Sequence, residues 1–453
     1  MKKKTIIITI ISAMVVILAS TTAVQAYNMS KTINKYSNTI YPDVAIEDID
    51  LSGMTKSEAI DLLQKKYGDV VLKKKININA LGITYSIDYS KLNAKYEIEE
   101  AVNEAFSYGK SLKTIEKYKL IRSPEPMQYQ LKFNYDAKPV KDFIADMQKK
   151  IDKAPINSTI SMVSSGNFSI TKDESGLRID TQKLEKDIKE KINGDITGDI
   201  EIKAQINDVQ ASITADKLSK INTKISSFST NFSGSSANRV ANIVLATKSI
   251  NGKLLMPGDT FSFNDVVGER TAKKGYKDAP VLVGNKLDSG LGGGICQVST
   301  TMYNAVMRAN INATERSHHT LPSHYIGLGM DATVDYGNID YKFKNTLDFP
   351  IYVEGFAEGN NLVFNVYSDK SLTNRTYDLV SETYDIIQPD TKYIEDPNLY
   401  EGETVLDQPP SIGYKVRVYK KTYENGKLIG QELISNETYK KVDEVIKKGT
   451  KKR

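Results

Sequence analysis

A single thiol and three imidazoles are the whole supply of soft nucleophiles and near-neutral bases in these 453 residues. The thiol, Cys296, lies in the run Gly290-Leu291-Gly292-Gly293-Gly294-Ile295-Cys296-Gln297, and the three histidines, His318, His319 and His324, follow close behind it. Scarce imidazoles gathered behind a lone thiol suit nucleophilic Cys–His chemistry, in which a ring takes the thiol proton or stabilises a thiolate. One base is enough, and residue type alone leaves all three rings open. Val298, Met302, Ala305, Val306 and Ala309 recur at helical spacing, so a helix is expected to begin at or just after Cys296. Free N–H groups and the positive dipole end at such a terminus favour a thiolate. The same N–H groups, with the Gln297 amide, could hold an oxyanion. Gly293 and Gly294, lacking a β-carbon, would permit unusual dihedrals or a close approach of substrate backbone. Two competing readings use the same residues. A small cysteine can be buried under a tight turn. One cysteine and three histidines could also supply four zinc ligands, but structural zinc sites usually take cysteines in pairs; no metal or other cofactor is expected.

The segments that must carry this site begin with Lys2, Lys3 and Lys4 and an uncharged stretch from Thr5 to Ala26. The stretch reads as a signal peptide with small residues at Val24-Gln25-Ala26, or as a retained anchor, which needs about 20 residues. Either way the remainder is expected in the cell envelope outside the cytoplasmic membrane, held by the helix or secreted. An exported chain with one cysteine makes no internal disulfide, which leaves the thiol buried or reactive. The net charge of +5 is small for the length and argues against a nucleic-acid partner.

The length implies several domains, and the patterning implies a multidomain α+β protein. A polar spacer, 27–40, follows the anchor region 1–26. Thr55 and Glu58 form a capping-box pattern, and Ile76-Asn77-Ile78-Asn79 and Ile83 to Ile87 alternate as strands do. Ile87-Asp88-Tyr89-Ser90-Lys91-Leu92 returns as Ile179-Asp180-Thr181-Gln182-Lys183-Leu184. This predicts two related α+β modules, 41–125 and 126–208, each leading from a strand into an amphipathic helix. Two helices separated by the Ser-rich run 226–236 lead into a mixed, β-rich domain over 209–375 that holds the cysteine. A small β-rich tail, 376–453, contains the hairpin signal Asn425-Gly426.

Residues 252–367 resemble the VanW domain family. The resemblance rests on Pro257-Gly258-Asp259-Thr260-Phe261-Ser262-Phe263-Asn264, Gly268-Glu269-Arg270-Thr271, Gly292-Gly293-Gly294-Ile295-Cys296-Gln297-Val298-Ser299-Thr300-Thr301, Glu315-Arg316 with His319, and Gly329-Met330-Asp331-Ala332-Thr333-Val334. In that pattern the histidine after Glu-Arg falls on His319. Residues 41–208 resemble peptidoglycan-binding repeats, and the tail resembles a module named for five glycines, here Gly402, Gly413, Gly426, Gly430 and Gly449, with departures in spacing and at Pro409-Pro410.

The resemblance implies a peptidoglycan L,D-transpeptidase that joins the third residues of two stem peptides through a Cys296 acyl-enzyme. It implies His319 as base and stem peptides as partners. Asp331 is a candidate to orient the imidazole, or else a turn residue ahead of a strand. Arg270 and Arg316 are candidates to hold a stem carboxylate, or else surface ion pairs; Gly293, Gly294 and Gln297 complete the expected substrate contacts. The same residues fit a cysteine peptidase that cuts stem peptides, and a non-catalytic wall-binding protein would keep the glycine loop for structure alone.

Overall fold

The computed structural model describes residues 2–283 and 286–452. The chain forms two compact units, Met1–Pro155 with Ser175–Gln210, and Ile156–Glu174 with Ala211–Arg453.

The first unit opens with a helix, Lys2–Lys35, that has no buried residue and runs on through much of the expected spacer. It is long and apolar enough to cross a membrane. Behind it stand two hydrophobic cores. One gathers Val44, Ile46, Leu51, Ala59 and Leu63 with Ile98, Ala101, Val102 and Ala105. Its helix Lys56–Leu63 starts at the expected capping box: Thr55 accepts from the Glu58 N–H, and the Glu58 carboxylate accepts from the Thr55 N–H. The other core gathers Ile76, Ile78, Ile87 and Leu92 with Val140, Ile144, Ile179, Leu184 and Ile202.

These cores interleave along the chain instead of following one another. Strand Lys75–Ala80 pairs antiparallel with Ile83–Asp88 and parallel with Ile200–Lys203, whereas Val44–Ile46 pairs parallel with Met127–Tyr129. The two repeated strings therefore do not open equivalent modules, because Ile87 and Ile179 lie in the same core. Asp180 caps the helix Thr181–Lys191, but Asp88 leads only into the short 3-10 turn Tyr89–Leu92 with no side-chain cap. The stripe Ile98, Ala101, Val102 and Ala105 is buried as its spacing predicts, but against the other core.

In the second unit, a four-stranded antiparallel sheet runs Thr223–Asn231, Asn361–Ser368, Ile351–Glu358, Lys253–Leu255. The Ser-rich run does separate two helices, Ala215–Ser219 and Ala237–Ile250, and is largely an edge strand. Ile225, at a bulge between Lys224 and Ser226, and Phe228 both pack on the core, and the backbone pairs with Asn361–Ser368. Helices Ala237–Ile250 and Ile295–Arg308 belong to the same core. The second is buried from Gln297 to Met307 without a solvent face. Serines and threonines at 299–301 and Asn304 are fully buried with the apolar stripe, so each needs a hydrogen-bond partner within the fold.

The tail supplies long antiparallel strands, Arg375–Ile387, Gly413–Glu424 and Lys427–Tyr439, the last two joined at Asn425-Gly426 as the turn signal predicts. Leu379 and Val418 of this tail are buried in the same core as the thiol helix. Arg308 at the end of that helix pairs with Asp378 at 2.7 Å.

Candidate active site

Cys296 is the second residue of the helix Ile295–Arg308, where the sequence places it. The preceding turn has little freedom. Gly294, the N-cap, sits at φ 105°, a left-handed conformation that side chains disfavour. A β-carbon on Gly293 would stand 2.6 Å from the Pro280 carbonyl oxygen. The turn is gripped by Asn242, whose amide donates to the carbonyls of Gly293 and Lys277 at 3.1 and 2.9 Å and accepts from the Lys277 N–H at 2.9 Å. Tight backbone packing therefore accounts for Gly293 without any substrate. Gln297 also differs from expectation. It is 1% exposed, and its amide nitrogen donates to Thr230 Oγ1 at 2.9 Å and the Asn231 carbonyl at 3.0 Å. Its backbone N–H donates to Gly294. The amide that was to meet an oxyanion instead locks the helix to the edge strand.

The opposite side of the helix fixes the segment carrying Asp331. Ser299 Oγ donates to the Ala332 carbonyl at 2.5 Å, Thr300 Oγ1 accepts from the Ala332 N–H at 3.0 Å, and Asn304 donates to the Met330 carbonyl at 2.7 Å. Asp331, with no exposed surface, then meets His319 twice: its Oδ2 accepts from the His319 N–H at 2.6 Å and from Nδ1 at 2.5 Å. With Nδ1 so engaged, Nε2 is left for the half-buried thiol, which lies within hydrogen-bonding reach of the ring. The thiol also contacts the Val334 carbonyl at 3.5 Å.

The electrostatics of the three groups agree. Burial alone would raise the Asp331 carboxyl; hydrogen bonds and charge from His319, with a bond from Tyr439, override it and hold the group at about 2. Burial would lower the His319 imidazole, but Asp331 and Cys296 together lift it to about 9. Burial would raise the Cys296 thiol; the His319 ring overrides it, with help from Arg270, and holds the thiol below its ordinary value. Both shifts favour a thiolate beside an imidazolium over the neutral pair, with the buried carboxylate stabilising the ring.

The remaining histidines do not join this arrangement. His324 is exposed. His318 directs Nδ1 to the His319 carbonyl at 2.6 Å and packs edge-on against Tyr439 at 5.1 Å. Among the described residues no three His, Cys, Asp or Glu side chains are grouped to hold a metal ion, so the four-ligand reading has no geometry behind it. Arg316 also departs from its expected role. Its side chain is 9% exposed and pairs with Glu437. It donates to the carbonyls of Asp331 at 2.6 Å and Gly329 at 2.9 Å. It supports the acid and has no free face for a substrate. Arg270 remains beside the thiol turn, with one guanidinium nitrogen bonded to Asn264 at 2.8 Å.

Two residues that the sequence analysis passes over complete the acid's surroundings, and both come from the tail. The Tyr439 hydroxyl donates to Asp331 Oδ1 at 2.5 Å and accepts from the Gly329 N–H at 2.7 Å. Burial and the adjacent Asp331 charge push its ionisation well above the ordinary value, which keeps it a donor. Glu437 neutralises Arg316. Strand alternation around 427–439 signals a strand, but nothing in it signals a partner more than a hundred residues away.

Three family profiles match the chain: "VanW like protein" over residues 238–367, a peptidoglycan binding domain over 85–201, and the G5 domain over 379–451. The chain is 34% identical over 234 residues to "Uncharacterized protein YoaR" of Bacillus subtilis, covering 51% of this chain and 75% of that one. It is 32% identical over 138 residues to "Vancomycin B-type resistance protein VanW" of Enterococcus faecalis, covering 29% of this chain and 50% of that one. The solved "IgA1 Protease G5 domain structure" is 26% identical and covers 17% of this chain and 93% of its own, with a TM-score of 0.14. The domain matches mark a cell-wall-associated protein. Cys296, His319 and Asp331 all fall inside the first matched segment, and with three quarters of one relative aligned at this identity, the chain belongs to the VanW family.

Proposed function

We propose that this protein is a cysteine-dependent L,D-transpeptidase of peptidoglycan, with Cys296 as nucleophile, His319 as proton carrier and Asp331 as the group that orients and stabilises the imidazolium. The Cys296 thiolate attacks the carbonyl carbon that links stem residue three to the terminal alanine. The C–N bond breaks, the proton on His319 passes to the departing amine, and a thioester remains. The side-chain amine of a second stem's third residue then attacks. Its proton goes to neutral His319, the C–S bond breaks, and the thiolate returns with a new amide formed. Asp331 keeps its charge throughout.

The observation that carries this reading is the hydrogen bond of Asp331 to His319 at 2.5 Å, with the ring and Cys296 acting on each other so that the imidazole is raised to about 9 and the thiol lowered. Membership of the family and the peptidoglycan-binding match support the choice of substrate. The N-terminal helix would hold the site at the outer side of the membrane.

The test is mass spectrometry of muropeptides after incubating disaccharide tetrapeptides with the protein and with Cys296→Ala. Cross-linked dimers that have lost alanine, made only by the wild type, are expected. Monomeric tripeptides would replace transfer with hydrolysis. Equal products from the two proteins would end both enzymatic readings and leave a wall-binding protein.

A further inference from the structure

Two arginines flank the turn that delivers the thiol; among the described residues neither pairs with a carboxylate, and the charge of Cys296 itself acts on both through space. Arg239 rises from the helix Ala237–Ile250, and Arg270 follows the short helix Phe263–Val267. Their aliphatic stems lie against the glycine turn. A β-carbon on Gly294 would stand 3.0 Å from Arg239 Cγ, and one on Gly292 would stand 3.0 Å from Arg270 Cγ. Each guanidinium makes one hydrogen bond to a neutral oxygen, Arg239 to Ser235 at 2.8 Å and Arg270 to Asn264 at 2.8 Å. Otherwise they face rings: Arg239 lies 6.0 Å from Tyr325, and Arg270 lies 5.6 Å from Phe263 and 5.9 Å from Tyr336.

Arg270 Nη2 is buried with no hydrogen-bond partner. Asp335 and Asp340 act on Arg270 through space, but Asp340 is already engaged by Ser262 and by the N–H groups of Asn264 and Tyr341. Burial opposes the charge of both guanidiniums. A partly desolvated cation without a partner is costly in a folded protein, and here two stand beside one reactive sulfur. Arg316 shows the alternative in the same unit, with carboxylate and carbonyl partners around its head.

We propose that Arg239 and Arg270 form an anion subsite beside Cys296 that takes a carboxylate of the substrate. Resting on the transpeptidase reading, that carboxylate is the free terminus of the alanine expelled on acylation. The donor is then a stem ending one residue beyond the bond attacked. Two positive groups would fix this terminus while the thiolate attacks, and would select against donors extended or capped there.

Because Cys296 is the only cysteine in the chain, alkylation of the full-length protein reports on this site without any peptidoglycan. Rates with iodoacetate and with neutral iodoacetamide are measured for the wild type, R239Q/R270Q and R239K/R270K. The wild type is expected to favour iodoacetate over iodoacetamide about tenfold more than the glutamine variant does, the scale of a charge-assisted hydrogen bond. The lysine variant should keep most of that preference. Because Arg270 also helps hold the thiol down, the ratio of the two rates is compared, in which a change in thiolate fraction cancels, and a retained iodoacetamide reaction in all three shows that the thiol pocket is intact. An unchanged preference in R239Q/R270Q overturns the subsite, and so does a lysine variant that behaves as the glutamine one. A second arm compares acylation of Cys296 by a tetrapeptide and by its C-terminal amide, read by intact mass. If the iodoacetate preference holds but neither peptide acylates the protein, the anion subsite stands and the transpeptidase reading fails. If both peptides acylate equally well, the Cys296 acyl-enzyme stands and the assignment of the carboxylate fails.

Discussion

Asp331 and Cys296 occupy opposite ends of one hydrogen-bonded series, and their surroundings are built on different plans. At the acid end, Oδ2 holds the His319 N–H and Nδ1 while Oδ1 holds the Tyr439 hydroxyl. Arg316 backs the same acid and is itself neutralised by Glu437. At the thiol end the sulfur meets a carbonyl at 3.5 Å and one ring, and the neighbouring Arg270 keeps a guanidinium nitrogen unbonded. A buried charge must be fully partnered to be held in place. A reacting group needs the reverse, with bonding capacity left for what arrives. The difference separates the part of the site that positions from the part that receives.

Four substitutions test that contrast. Replacing the receiving group should have the largest effect: Cys296→Ala is expected to lower transpeptidation by about 10⁴-fold or more, the scale of removing a nucleophile, measured as dimer formation from tetrapeptides. Next, Asp331→Asn keeps the shape of the positioning end and removes its charge. A loss of roughly 10³- to 10⁴-fold in kcat is expected, as when a triad carboxylate becomes an amide. The reactivity of the thiol towards iodoacetamide should move to higher pH, because the imidazolium beside it is weakened. Wild-type reactivity that follows an ordinary thiol, near pH 8.5, would remove the thiolate–imidazolium pair altogether.

Tyr439→Phe is expected to have a smaller effect, about tenfold in kcat, from the loss of one hydrogen bond to a charged group. It also leaves the Gly329 N–H without its partner and Asp331 Oδ1 with only the Arg316 contact at 3.5 Å, at a cost of about 1–3 kcal/mol in stability, measured by urea unfolding. This variant should shift the acid limb of unfolding as well. Asp331 is held at about 2, below its ordinary 3.8. Its contribution to stability is therefore present above 3.8 and lost as pH falls through about 2. Without Tyr439 the folded-state value rises towards 3.8, so that loss should be smaller and should be complete at a higher pH. An unchanged pH–rate profile in Tyr439→Phe would reduce the tail to a passive neighbour. The smallest effect is expected at the exposed His324, where His324→Gln should leave activity within about twofold. A larger loss would bring a second imidazole into the chemistry.

Legibility in the sequence divides along the same line. Cys296 at a helix start, and its nearness to His319, can be read from local signals: a glycine run, a 3.6-residue stripe and the scarcity of both residue types. The capping box at Thr55 and the turn at Asn425-Gly426 are equally local. The polar residues of the thiol helix mislead, since Ser299, Thr300 and Asn304 look like a solvent face but grip the backbone at 330–332. Gln297 and Arg316 mislead for a related reason. A polar side chain beside a nucleophile looks the same in sequence whether it turns towards a ligand or into the fold. The interleaved cores of the first unit depend on the parallel pairing of residues 75–80 with 200–203, and no local pattern records a partner so distant. Tyr439 is hidden in the same way.

That distance has a consequence for when the protein can act. A ribosome completes the cysteine long before it reaches the strand that carries Tyr439. If Tyr439→Phe behaves as expected, every nascent or prematurely ended chain holds a thiol whose counter-acid is not yet locked in place. The order of synthesis would then hold acyl transfer below its full rate, by about tenfold for the Tyr439 bond alone, until the strand Lys427–Tyr439 has been made and paired.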